Sequence, residues 1–415
     1  MHPFTILFAA LLIAGLAVRL WLLGRQIRAV AAGRKTVPAE FSGVISDAQH
    51  GKAADYTIAL ARYSGFRAVF DAGLLLLLTI GGGIAWMDSA ISASGLSGLT
   101  RGVAVIAATA FLLAILELPF STWRTFRIES RFGFNRTTPA LFALDHLKGL
   151  AISALLLLPL VALLLWLFGR ARGDWWWWAW SAWAAVSLAM SWAWPRLIAP
   201  LFNSFRELPD GELRAGVIAL ARRCGFEPNG VFVMDGSRRS AHGNAYFTGL
   251  GKTKRVVFFD TLLHTLAAGE VEAILAHELG HFRLRHVAWR IAWSLAASFA
   301  GFALLAWLAG EPWFQPALGV TQGGAHTLFL LFALAAPVLL LPAAPLAAWL
   351  SRRHEYAADA FAARHADATA LSSALVKLYR DNATTLTPDP LYAAFHASHP
   401  TAIDRIGRLA ARASG

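Results

Sequence analysis

Apolar residues fall into seven blocks along the chain, separated by polar, arginine-rich or glycine- and proline-containing segments. The blocks run approximately Phe4–Leu23, Phe66–Met87, Val103–Phe120, Gly149–Phe168, Trp175–Trp194, Ala288–Leu308 and Leu328–Leu350. A helix needs roughly 20 apolar residues to cross the hydrocarbon core, so the pattern predicts seven transmembrane helices. The first block lacks a basic leading region and a small-residue cleavage site, and it reads as a span rather than a signal peptide. The tryptophans of Trp175–Trp178 open the fifth block as an interfacial anchor. Two polar masses remain, Pro195–Val287 and Ser351–Gly415. Within them Gly230–Met234 and Arg255–Phe259 read as short strands, and Ala241–Phe247 as a third. Small and apolar residues at three-to-four spacing make Glu270–Arg283 and Ser351–Arg364 helices.

Composition sharpens this picture. Hydrophobic residues make up 57% of the 415, and the formal net charge is +12. In a soluble chain that excess would suggest nucleic acid, but here the arginines sit in the connections between apolar blocks and no nucleic-acid partner is expected. Arg25, Arg28, Arg34 and Arg62 lie in the first connection, and Arg124, Arg127, Arg131 and Arg136 in the third. The connections Asp88–Gly102, Gly169–Asp174 and Ala309–Thr327 hold only Arg101, Arg170 and Arg172. By the positive-inside rule both polar masses face the cytoplasm and the N-terminus lies outside. The single cysteine, Cys224, excludes an intramolecular disulfide and reads as a partly buried thiol. The expected organisation is a membrane domain of five helices over residues 1–194. A second domain follows over 195–415, holding both polar masses, and includes helices six and seven (about 288–308 and 328–350).

The chemistry is carried by Ala276-His277-Glu278-Leu279-Gly280-His281. Histidines four apart on a helix share a face and can reach one ion, and imidazole suits zinc. Glu278, one residue round from His277, can act on a zinc-activated water as general base without ligating the metal. A catalytic zinc needs a third protein ligand and an open position. The extended H-E-x-x-H-x-x-G-x-x-H pattern is absent, because Leu284 and Val287 occupy its later places. Two membrane helices form a hairpin that returns the chain to the same face, so Ser351-Arg352-Arg353-His354-Glu355-Tyr356-Ala357-Ala358-Asp359 can meet the motif. Glu355 is the candidate third ligand, with pairing to Arg352 or Arg353 as the bland alternative. Asp359, one turn on, can bond the free N–H of a liganding histidine. His354 points to a different face. His286 follows His281 at five residues, the wrong spacing for one helix face, and is set aside with His365 and His396.

These residues resemble one family, the type I CAAX prenyl proteases, which are integral-membrane zinc metallopeptidases. The resemblance takes in Leu118-Pro119-Phe120, Ile128 through Asn135, Ile198-Ala199-Pro200-Leu201-Phe202-Asn203 and Asp235 through Ser240. It continues through Asn244-Ala245-Tyr246-Phe247, Phe259 through Leu263, Glu355-Tyr356 with Ala358-Asp359, Asp389-Pro390-Leu391-Tyr392 and Ser398-His399-Pro400. Thr401-Ala402 departs from it, where a second proline is common. The resemblance implies a mainly α membrane fold of seven helices enclosing a chamber, with a cytoplasmic zincin-like domain containing a small β-sheet. It implies one Zn2+ per chain. It also implies that Asn244, on a substrate-binding edge strand, and His399, near the metal, steady the developing oxyanion; on spacing alone Asn244 reads as a turn residue beside Gly243. Arg405 matches an arginine whose role stays open. The implied substrate is a membrane-associated or C-terminally prenylated protein or peptide. A quality-control protease with no prenyl requirement is the alternative within the enzyme class. A transporter, or an inactive relative acting as a membrane chaperone, is the alternative outside it. Arg19, Asp71 and Glu117 are the intramembrane charges a transporter would use, but they lie near span ends. Arginine-rich, alanine- and tryptophan-rich usage fits the inner membrane of a bacterium; a eukaryotic source would place the protein in the endoplasmic reticulum membrane.

Overall fold

The computed structural model describes residues 1–170, 173–248 and 255–413; Arg172, assigned above to an outer connection, lies outside them. The chain is mainly helical. Helices α1 (Pro3–Gly33), α2 (Asp47–Leu78), α3 (Gly83–Ala93), α4 (Gly98–Trp123), α5 (Pro139–Arg170) and α6 (Trp175–Ala193) come first. After the short α7 (Ala199–Phe202) and strand β1 (Phe205–Glu207) come α8 (Glu212–Arg223), β2 (Val231–Met234), β3 (Ala245–Thr248), β4 (Arg255–Phe259) and α9 (Asp260–Leu263). The remainder is α10 (Ala268–Arg283), α11 (His286–Ala309), α12 (Phe314–Ala317), α13 (Ala325–Leu340), α14 (Ala344–His365), α15 (Ala368–Asp381), α16 (Pro390–His396) and α17 (Ala402–Ala413).

Among the described residues, five helical stretches are long and apolar enough to cross a membrane: Pro3–Gly33, Gly98–Glu129, Pro139–Arg170, His286–Ala309 and Ala325–His365. A sixth is reached if α2 and α3 count as one span. The block Phe66–Met87 is therefore not the single straight helix expected. The chain breaks at Gly81-Gly82-Gly83, where Gly82 takes the left-handed conformation (φ 77°), and the two halves meet at 51°. The fifth block folds as α6, but its tryptophans, which hydropathy scales score as weakly polar, keep it out of the count of five or six.

Each membrane helix packs on its neighbour, and the order closes on itself. It runs from α1 to α2, through α3 to α4, then α5, α6, α11 and α13, and α13 packs on α1. One end of this ring is sealed by an apolar core. Phe8, Leu78, Ile84, Trp175, Ala179, Leu305, Leu308, Phe314, Leu328 and Leu331 meet there from seven different helices. Of the most apolar stretch of each of the five candidate spans, 11% to 28% is buried in the protein. The second core lies at the other end, where α8, α10, α15 and α17 surround the sheet with Leu220, Phe258, Leu275, Leu279, Leu371 and Leu409.

The sheet has the order β1-β2-β4-β3, with only β2 and β4 parallel. β1 was not legible as a strand, since three residues give no alternation. β3 begins at Ala245 rather than Ala241, because the chain before it bends to bridge Ser240 to Asn135. Two of the charges near span ends are paired: Arg67 of α2 binds Asp71 of the same helix at 2.6 Å and Glu117 of α4 at 2.5 Å.

A second polar clasp holds the sealed end. Asp88, only 3% exposed, accepts two bonds from Arg101 and one contact from His326, all at 2.8 Å. Removing the shared partner of a buried charge cluster strands the others. Asp88→Ala is expected to cost about 3 kcal/mol, read as a lower thermal midpoint in detergent. An unchanged midpoint would show that α3, α4 and α13 do not depend on the clasp.

Candidate active site

The site forms where α10 lies against α14. Glu270 opens α10 by accepting the Ala267 N–H at 2.7 Å, and it ties the helix to α15 through Ser373 (2.6 Å) and Lys377 (2.7 Å). Val271, Ala273, Ile274, Leu275, Ala276 and Leu279 are buried, so the helix is held rigid by its apolar side. Gly280 then lets α14 come close. A Cβ at this position would lie 3.2 Å from Ala358 Cα and from Phe361 Cβ. That approach delivers Glu355 to the two histidines.

His277 Nε2 lies 3.4 Å and His281 Nε2 3.3 Å from the two Glu355 oxygens, and the two imidazole nitrogens are 3.3 Å apart. Among the described residues these three side chains form a group able to hold a metal ion. A tetrahedral zinc with bonds of about 2.0–2.1 Å spaces its donors about 3.3–3.4 Å apart, so the donor set and its separations fit that ion. Glu355 Oε2 is buried and makes no hydrogen bond, with only the longer ionic contacts of His277 (3.4 Å), His399 (3.5 Å) and Arg405 (3.9 Å) around it. Burial opposes charge on His277, yet Asp359 and Glu355 outweigh it and hold its pKa up to about 9. The pocket selects positive charge.

Behind the donors lies a second layer. His277 Nδ1 meets Asp359 Oδ1 at 2.8 Å, and Arg405 of α17 binds both Asp359 oxygens at 2.6 and 2.8 Å. All of these side chains are nearly inaccessible. Arg405, left open by the sequence, thus acts on His277 through Asp359. His281 Nδ1 meets His286 Nδ1 at 3.0 Å, and His286 stacks on His354 with ring centroids 4.1 Å apart. The spacing argument against His286 fails because α10 does not continue. Arg285 adopts a left-handed conformation (φ 59°), and the chain restarts as α11 with His286 folded back on His281. A helix break at a non-glycine residue leaves no mark that periodicity can read.

Neither arginine proposed as a bland partner pairs with Glu355. Arg352 donates to the carbonyls of Ala393, Ala394 and Ala397, and Arg353 lies over Trp349. Glu278 is half-buried, and burial raises its carboxyl pKa. His399 reaches the cluster from the segment before α17, its Nε2 3.5 Å from Glu355 Oε2, with the side chain 64% exposed. Ser398 Oγ sits 3.0 Å from His399 Nδ1. Asn244 is exposed at the head of β3, an edge strand, and its Oδ1 accepts the N–H of Ala245. His365 packs on Phe361 and His396 on Tyr392 and Phe395, away from the cluster.

The family described as peptidase family M48 matches residues 207–413, and the one described as CAAX prenyl protease N-terminal, five membrane helices, matches residues 26–204. The chain belongs to peptidase family M48. Its relatives include the mouse CAAX prenyl protease 1 homolog, 31% identical over 97% of this chain and 95% of that protein. The rice homolog is 31% identical over 93% and 92%, and the Arabidopsis homolog 37% identical over 70% and 69%. The crystal structure of Ste24p from S. mikatae superposes with a TM-score of 0.89 at 30% identity, covering 99% of both chains. This M48 peptidase is thus an integral-membrane metalloendopeptidase of the CAAX prenyl protease 1 type.

The tie between α10 and α15 is testable through pH. Burial works to raise the Glu270 carboxyl, but Lys377, Ser373 and the Ala267 N–H hold it below the ordinary glutamate value. Its folded pKa is depressed, so its contribution is present above the unfolded value of about 4.3 and lost as pH falls through the folded one. Glu270→Gln should flatten this acid limb of the stability-against-pH curve. A parallel loss in wild type and variant would assign the limb to other groups.

Proposed function

We propose that the protein is a zinc metalloendopeptidase that cleaves C-terminally prenylated or otherwise membrane-associated protein substrates from the cytoplasmic side of its membrane. The observation that carries the catalytic part is the trio of His277, His281 and Glu355, whose imidazole nitrogens and carboxylate oxygens lie 3.3–3.4 Å from one another in one buried cluster. The substrate class is supported by the names of the relatives. In this reading α6 is a seventh span, and the ring of helices, sealed at one end, encloses a chamber for an apolar group. Residues 1–194 form the membrane unit, and 195–415 form the peptidase unit with α11, α13 and the start of α14. The arginine-rich connections orient the site toward the cytoplasm, and the composition favours a bacterial inner membrane.

A bound zinc lowers the pKa of a ligated water toward neutrality and polarises the scissile carbonyl. The rest is the work of this chain's own side chains. Asp359, fixed by Arg405, holds the proton on His277 Nδ1 and leaves Nε2 free as a donor atom to the metal. Glu278 takes the proton of the attacking water and hands it to the departing amide nitrogen, giving a new carboxyl and a new amine. Its burial-raised pKa suits both halves of that transfer. The free edge of β3 accepts the substrate as an added antiparallel or parallel strand, which brings the scissile carbonyl to the site. With Ser398 Oγ donating to its Nδ1, His399 carries its proton on Nε2, and that N–H and the Asn244 amide donate to the developing oxyanion.

Glu278→Gln should retain one zinc per chain and lose turnover, whereas Glu355→Ala should lose zinc on dialysis; metal analysis beside a peptide assay separates the two. Asn244→Ala and His399→Ala should each lower kcat by about a hundredfold or more while zinc stays bound. The deciding assay compares prenylated and unmodified C-terminal peptides with the detergent-purified protein, with and without chelator. Chelator-sensitive cleavage of the prenylated peptide alone is expected. Equal cleavage of both would replace the prenyl requirement with general membrane proteolysis, and cleavage of neither would reject the peptidase reading.

A further inference from the structure

Beside the His277–His281–Glu355 cluster, Trp349, Arg352, Arg353 and Tyr356 of α14 and Arg408 of α17 line a cavity of about 350 Å³. It sits where the apolar part of the seventh block ends, so its arginines stand at the polar boundary of the membrane. Arg353 lies over the Trp349 ring at 4.9 Å and Arg408 over the Tyr356 ring at 3.7 Å, and both arginines are exposed. Among the described residues neither has a carboxylate partner. The nearby acid, Asp404, is occupied in accepting the Thr401 hydroxyl at 2.7 Å. Arg352 closes the floor, already committed to three carbonyls of the α16 segment.

Two stacked, unpaired guanidinium groups from different helices form a fork for phosphate oxygens, and aromatic faces keep that fork in place. Adjoining it are Leu346, Trp349 and Leu350, exposed at 59%, 45% and 43%. Basic groups beside bare apolar surface suit an amphiphile better than a free ion. We propose that this cavity binds the phosphodiester headgroup of an anionic phospholipid, with its acyl chains against Leu346 and Leu350, and that the bound lipid clamps α14 to α17.

The clamp has a consequence for the site. Arg353 is two residues from Glu355, and Arg408 is one turn from Arg405, the residue that fixes Asp359. A smaller cavity lined by Tyr356, Asp359, Arg405, Arg408 and Leu409 adjoins the same pair of helices. A headgroup held between Arg353 and Arg408 therefore braces the two helices whose Asp359–Arg405 bond orients His277, and neutralises the repulsion between the two arginines.

The test is lipid binding, which does not depend on catalysis. The full chain in phosphatidylcholine nanodiscs is titrated with phosphatidylglycerol, and retained lipid is counted by native mass spectrometry. Wild type should bind phosphatidylglycerol about thirtyfold more tightly than R353Q/R408Q, each arginine contributing about fivefold. Phosphatidylglycerol should raise the thermal midpoint of wild type but not of R353Q/R408Q. R353K/R408K, which keeps the charges, should recover most of the binding and guards against misfolding of the glutamine variant. Equal binding by wild type and R353Q/R408Q would overturn the proposal, as would full displacement of the lipid by millimolar inorganic phosphate, which would make this a free-anion site.

Discussion

The close approach of α10 and α14 at Gly280 is the contact on which everything else depends. The metal donors are divided between these helices, and the chain between them makes a complete excursion through the membrane as α11 and α13. A side chain at position 280 would press on Ala358 and Phe361 at 3.2 Å, so α14 would have to give by a few tenths of an ångström. The excursion is thus also a constraint. Because α11 and α13 must return α14 to the same face, and because Asp359 and Arg405 lock it there, the trio is assembled by the fold before any ion arrives. Preorganisation of this kind lets two helices far apart in sequence present their side chains to one ion.

The membrane part answers to a different demand. It is closed on itself around the ring, and one apolar core seals it at the end remote from the site.

Much of this was legible in the residues. His277, Glu278 and His281 followed from a helical spacing that geometry enforces, and Glu355 followed from the hairpin logic of two spans. Asp359 followed from being one turn further on. What escaped was of one kind: features set by local backbone conformation or by distant packing. The left-handed Arg285 put His286 beside His281, against the periodicity. The glycines at 81–83 split one apolar block into two helices. β1 was too short to alternate, and Arg405 could be placed only once α17 was seen to fold back over α14. Asn244 and His399 had no signal of their own beyond the resemblance, since a turn asparagine and a lone histidine carry no spacing rule.

The central claim is that His277, His281 and Glu355 hold one zinc. Zinc K-edge absorption of the purified, zinc-loaded protein tests it most directly. Two imidazole nitrogens and oxygen neighbours, all at about 2.0–2.1 Å, at one zinc per chain, are the predicted result. A first shell containing sulfur, a shell with no imidazole, or an unchanged spectrum in His281→Ala would contradict the account.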